Sequence, residues 1–315
     1  MRALREAAET ALAAPSIFNT QPWRWQVSGD TLRLWADRER QLLVADPEAR
    51  MLTISCGVAL HHARVALAAV GHWSAVRRLP DPGDTDLLAE VRVAGGHRPT
   101  DSEVRLKEAI GLRRTDRRAF SQGVPVEAVP ALIDAAEFQR AHLRLIRPDE
   151  VGSLALAATR ADALQLADAG YRRELIHWTH RPQWSNDGVP LSTAVERIPR
   201  AVPVRDFAPF GQSVMPAGPY NDAGAQYAVF FTDEDGPADW IRAGEALSAV
   251  LLTATSLGLG TAPISDVTEL AVTREQLRRL LADIGVPQLA VRIGRSPPGT
   301  PPSVPRRLPD EVIYP

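Results

Sequence analysis

Two stretches of the chain match each other at a fixed distance. Cys56-Gly57-Val58-Ala59-Leu60, in a run ending at Gly71, is echoed by Ala243-Gly244-Glu245-Ala246-Leu247, in a run ending at Gly258. Gly57/Gly244, Ala59/Ala246, Leu60/Leu247 and Gly71/Gly258 all stand 187 residues apart. Both runs are apolar almost all the way round a helix, so both helices must be buried, and their small residues let another backbone approach closely. Two Ala-rich helices can share such spacing by coincidence. The common order of helix, loop and strand around them favours two related halves instead, an internal counterpart of a symmetric dimer.

Apolar periodicity predicts helices over 2–13, 52–71, 101–112, 126–137, 149–180, 238–258 and 273–283. Strands are expected over 23–27, 31–37, 87–94, 141–147, 226–232 and 288–294, the first two joined by the Ser28-Gly29-Asp30 turn. The fold class is α+β. Gly95-Gly96-His97-Arg98-Pro99 reads as a linker, which divides the chain into halves of 1–97 and 98–315. Residues 184–220 hold Pro190, Pro199, Pro203, Pro209, Pro216 and Pro219 with few periodic apolar residues. A loop of that length is a lid or is disordered.

The chain has 315 residues, 45% of them hydrophobic, and a formal net charge of -2. That balance supports a large core and argues against a nucleic-acid binder. Lys107 is the only lysine, so arginine as such is uninformative and its position must carry any argument. Cys56 is the only cysteine, which excludes an intrachain disulfide and fits a reducing compartment. The first residues read as an acid-bearing amphipathic helix, and no apolar run approaches the roughly 20 residues of a membrane span. A cytoplasmic globular protein is the expectation.

Four segments can carry chemistry, and each has a plain structural reading as well. Arg113-Arg114-Thr115-Asp116-Arg117-Arg118 follows a helix; it is either a solvated helix end or a phosphate-binding cluster. Pro305-Arg306-Arg307-Leu308-Pro309 is either a polar tail or a stiff segment presenting arginines. Gly258 to Asp266 is a helix cap and turn, or an extended run whose free N–H groups face a ligand. Ala14 to Trp25, "APSIFNTQPWRW", is a helix-to-strand loop pinned by aromatics, or a set of amides offered to a heterocycle. His61 and His62 diverge by about 100° on a helix and read as helix-face residues without a shared ion. No metal site, Ser/His/Asp signature or phosphate-cradling glycine loop is present in the sequence.

Together these segments resemble the nitroreductase superfamily of FMN flavoproteins. "PSIFNTQPW" (15–23), "RRTDR" (113–117), "APIS" (262–265) and "RRLP" (306–309) match its motifs. "ELIHW" (174–178) with "DGVP" (187–190) is similar to the Acg-type branch, in which a long insertion covers the flavin. Each half lacks the motif that the other retains, so the resemblance implies an intramolecular pseudo-dimer, one FMN per chain, and a monomer. It further implies that Arg113, Arg117 and Arg307 bind the FMN phosphate, assisted by Thr115, Arg114 and Arg306. Pro15, Ser16 and Asn19 would contact the ring and ribityl edge, with Gln21 and Trp23 as supports. Pro263, Ile264 and Ser265 would form the loop by the ring, with the Ser265 backbone near flavin N5. The flavin does the chemistry, so no catalytic side chain is expected. The implied activity is NAD(P)H-dependent reduction of a nitroaromatic, quinone or conjugated acceptor. An FMN-sequestering protein and a pathway-specific flavin oxidoreductase are the alternatives.

Overall fold

The computed structural model describes residues 1–208, 213–218 and 221–315. The first half runs α1 (Arg2–Ala11), β1 (Trp23–Ser28), β2 (Thr31–Ala36), α2 (Arg50–Ala68), β3 (His72–Arg78) and β4 (Leu87–Gly96). After α3 (Asp101–Leu112) come α4 (Val129–Glu137), β5 (His142–Leu145), α5 (Val151–Ala167) and α6 (Ala169–Thr179). Then follow β6 (Gln226–Thr232), α7 (Pro237–Ser256), β7 (Gly260–Ile264), α8 (Asp266–Glu269), α9 (Ala271–Leu280) and β8 (Val286–Gly294). The chain closes with α10 (Pro309–Val312) and β9 (Ile313–Tyr314).

One sheet has the order β3-β4-β2-β1-β9 and the other, read the same way, β7-β8-β6-β5. The core pairings of both are antiparallel, and β9 adds to β1 in parallel. Each sheet also shifts register at its centre, at Leu34/Trp35 and at Phe230/Phe231. Between the sheets α2 packs on α7. A Cβ added to Gly57 would lie 2.2 Å from the Ile241 carbonyl oxygen, and one on Gly244 would lie 2.0 Å from that of Ile54. Ile54 and Ile241 are also 187 residues apart, so the crossing is one contact met from both sides.

Burial and hydrogen bonding settle the histidine pair. His61 Nδ1 lies 2.8 Å and His62 Nδ1 2.9 Å from Ser248 Oγ, so the rings converge on one hydroxyl despite their divergence on α2. His62 Nδ1 is also 3.0 Å from the Val58 carbonyl, which can only accept. The proton of His62 therefore sits on Nδ1, and Ser248 donates to His61. Burial lowers both rings, His62 to about 3, so both are neutral.

Several expectations need correction. The helix expected over 149–180 breaks at Asp168, whose carboxylate caps α6 by accepting from the Gly170 and Tyr171 N–H groups. Gly95 and Gly96 belong to β4, paired with Trp73 and His72, rather than to a linker. Strand β3 had no sequence signal because its faces are alternately exposed and only half-buried. Part of the run after Gly258 is a strand: β7 pairs with β8 on one side, and the Thr261 carbonyl accepts from Asp116 N–H at 2.9 Å on the other. Helix α2 is long and apolar enough to cross a membrane by length and composition, but 89% of that window is buried inside the protein. Of the 184–220 segment, Pro209 and Pro219 lie outside the described residues.

Candidate functional site

The loop from Pro15 to Pro22 is held in a conformation that its residues do not favour. Phe18, Asn19 and Gln21 all have positive φ (46°, 53° and 50°). Each such non-glycine residue costs on the order of 1–2 kcal/mol. Hydrogen bonds fix it from every side. Ser16 Oγ accepts from Gln21 N–H at 2.9 Å, and Ile17 N–H donates to Ser55 Oγ on α2 at 3.1 Å. Asn19 Nδ2 donates to the carbonyls of Gly188 and Pro305, and Gln21 Nε2 to that of Asn186. The "DGVP" turn is thereby locked on the loop, and Asp187 is further tied to Arg40 and Arg181.

Beside this loop lies a cavity of about 290 Å³, lined among others by Pro15, Ser16, Asn19, Arg113, Arg114, Thr115, Arg117 and Arg306. It continues past Pro15, Ser16, Phe18, Thr115 and Arg117 into a compartment of about 100 Å³. That compartment is walled by Met51, Ile54, Ser55 and Val58 of α2, Leu247 of α7, and Pro263, Ser265 and Leu289. A third space of about 50 Å³ opens between residues 204–207 and the end of β7, where Ile264 and Ser265 form its wall.

Guanidinium groups dominate the electrostatics. Arg113 is buried, and among the described residues its Nε and Nη1 have no partner. Burial, then the neighbouring Arg114, lowers it to about 10. Arg306 is lowered to about 9 by burial and then by Arg113 and Arg114. Its hydrogen bonds go to the Asn19 side-chain oxygen and the Ala13 carbonyl. Arg117, lowered to about 10 by burial, Arg205 and Arg292, lies 4.4 Å over the Phe207 ring. Among the described residues no carboxylate forms a salt bridge with Arg113, Arg117 or Arg306. All three stay charged at neutral pH, so the cavity demands an anion.

Most residues singled out in the sequence therefore meet here, with three exceptions in detail. Arg307 turns away: its guanidinium donates to the Gln21 and Trp23 carbonyls and pairs with Asp37 at 3.3 Å. It is a strut for the loop and shares the buried Asp37 carboxylate with Arg24. Asn19 lines the cavity, but its amide is fully engaged within the protein. Arg114 points its Nη1 at the Gly111 and Arg113 carbonyls.

No protein-family model matches the chain. Curated relatives do. A Mycobacterium tuberculosis (strain H37Rv) protein provisionally named NAD(P)H nitroreductase Rv3131 is 39% identical over 318 residues, covering 98% of this chain and 90% of its own. The protein of the same strain provisionally named NAD(P)H nitroreductase acg is 34% identical over 316 residues, covering 99% and 95%. The chain belongs to the nitroreductase family. Among solved structures, a Desulfitobacterium hafniense nitroreductase with bound FMN aligns at a TM-score of 0.41 and 18% identity, over 67% of this chain and 97% of that one.

Several residues of this nitroreductase's site had no sequence signal of their own. Arg292 of β8 is buried and donates to the carbonyls of Asp116 and Arg118, bracing the arginine turn from beneath. Arg205 and Phe207 enter from the proline-rich segment. Asp266 lies at the third space, and burial pushes its carboxyl up to about 6.

Proposed function

We propose that the protein binds one FMN per chain and is an oxidoreductase of nitroreductase type. The observation that carries this is the set of unneutralised guanidiniums, Arg113 and Arg306 with Arg117, in a cavity that runs on into an apolar-walled compartment. Such a site fits a molecule with a phosphate at one end and a flat, largely apolar ring at the other. Arg113 and Arg306 would hold the phosphate, with Thr115 beside them. Arg117 stands at the junction of the compartments and would lie along the ring edge. Pro15, Ser16 and Ser265 would flank the ring, and Ile54 and Val58 would exclude water beneath it. FMN held there would supply two-electron redox chemistry between NAD(P)H and a nitroaromatic, quinone or conjugated acceptor.

The reading of the chain as two fused halves with an internal interface is supported by the matching strand orders and the reciprocal glycine crossing. Anaerobic mixing with NADPH or NADH tests the activity. Bleaching of the flavin colour is expected, and no bleaching with either donor would sink the oxidoreductase reading. One observation favours a second function, FMN sequestration: Phe207 lies 5.8 Å from the Phe18 ring and lines the ring compartment. A flavin that stays bound but is never bleached is the outcome that reading predicts.

A further inference from the structure

One side chain of the strained loop does more than line the cavity. Asn19 is 6% exposed, and each polar group of its amide has a partner. Its Nδ2 donates to the Gly188 carbonyl at 2.9 Å and to the Pro305 carbonyl at 3.0 Å, while its Oδ1 accepts from Arg306 Nη1. Only this orientation of the amide is consistent, because the opposite flip would set two carbonyls against its oxygen and a guanidinium against its NH2. Both N–H groups are thereby spent within the protein, and neither is left for a ring in the cavity. The Asn19 backbone adds to the same junction, its carbonyl accepting from Gly188 N–H at 3.3 Å.

Arg306 is the other half of the contact, and it lines the large cavity with Arg113, Arg114 and Thr115. Among the described residues, every acceptor that holds its guanidinium is an uncharged oxygen, from Asn19, Ala13 or Pro305. Arg307, one residue on, is held in part by the Asp37 carboxylate instead. A neutral acceptor fixes the direction of a guanidinium and leaves its full charge for an incoming anion, whereas a carboxylate fixes it and offsets that charge. The backbone of residue 19 narrows the choice further. Its φ of 53° suits glycine, asparagine and aspartate best. Of these, only asparagine can hold Arg306 without bringing a negative charge to it.

We infer that Asn19 is a positioning residue that acts on the phosphate end of the ligand through Arg306, holding both that side chain and the carbonyl before it, and does not touch the ring. The identity of the phosphate-bearing ligand rests on the flavin reading above. The family resemblance implies instead a contact with the ring and ribityl edge, where loss of the amide would weaken any flavin. Acting through Arg306, its loss weakens only a flavin that carries a phosphate.

The test is fluorescence titration of the flavin-free protein with FMN and with riboflavin, which shares the ring and lacks the phosphate. Glycine is the informative replacement, because it keeps the positive φ without strain and removes the amide. Asn19→Gly should weaken FMN at least about tenfold, the scale of one charge-assisted hydrogen bond, and leave riboflavin unchanged. Arg306→Gln should do the same, and adding Asn19→Gly to it should cost FMN binding nothing more. Asn19→Asp keeps an acceptor for Arg306 but offsets its charge, and should also weaken FMN selectively. Equal losses of FMN and riboflavin in Asn19→Gly, undiminished FMN binding in either Asn19 variant or in Arg306→Gln, or a further loss in the double variant would each overturn the inference. Wild type that binds neither flavin would defeat the flavin reading, and inorganic phosphate would then decide Asn19 through the melting temperature. A rise with phosphate in wild type that Asn19→Gly loses supports the positioning role; no rise, or one that Asn19→Gly keeps, overturns it.

Discussion

Arginines gather at two places beside the central helices, and the two are built oppositely. At one, Arg64 and Arg78 share the buried carboxylate of Glu245, at 2.6 Å and 2.7 Å, and Arg64 also donates to Gln139. At the other, Arg113, Arg117 and Arg306 have no carboxylate of their own among the described residues. The repeat spacing relates the two. The residue 187 positions after Val58, which walls the ring compartment, is Glu245, and the residue 187 positions after Arg78 is Ser265. Val58 and Ser265 line the ring compartment, whereas the residues 187 positions from them, Glu245 and Arg78, form an internal ion cluster. Charge closed on itself contributes stability there. Charge left open is held at a stability cost and waits for a partner.

That contrast can be broken at several points. The largest effect belongs to the crossing that both regions depend on. Gly57→Ala and Gly244→Ala should each destabilise by upwards of about 3 kcal/mol, and by similar amounts, because each Cβ meets a carbonyl oxygen of the facing helix. Denaturant titration checks this, and a large inequality would argue against a reciprocal crossing. At the closed region, Glu245→Gln strands two partly buried cations and should cost about 3 kcal/mol in the same assay.

Changes at the open region should have the opposite sign. Asp266 has a folded-state pKa of about 6, raised above the usual carboxyl value, so stability falls as pH rises from about 4 through 6. Asp266→Asn should raise the melting temperature above pH 6, by the equivalent of roughly 3 kcal/mol at most, and match wild type near pH 4. The smallest effect is Arg113→Gln. It should stabilise flavin-free protein by about 1 kcal/mol, because it removes an unpaired buried charge, while lowering flavin retention after gel filtration. Stabilisation with undiminished flavin would place the phosphate elsewhere.

The central helices were legible because an apolar, small-residue pattern has few other uses, and the arginine cluster because its density is local. Arg113, Thr115 and Pro15 could be located without coordinates for that reason. Arg307 misled because it shares a motif with Arg306, and only the fold brings Asp37 to one and not the other. Arg205 and the Arg292 brace were hidden for the same reason: their partners lie 64 and 176 residues away in the chain, beyond any local pattern. Strand β3 was hidden by its half-exposed faces.

Native mass spectrometry of the protein after incubation with excess FMN measures the central claim most directly. One flavin per single chain is the predicted result. Two flavins per chain would show that the region around Glu245 is not closed, and none would remove the ligand that the open arginines are proposed to hold.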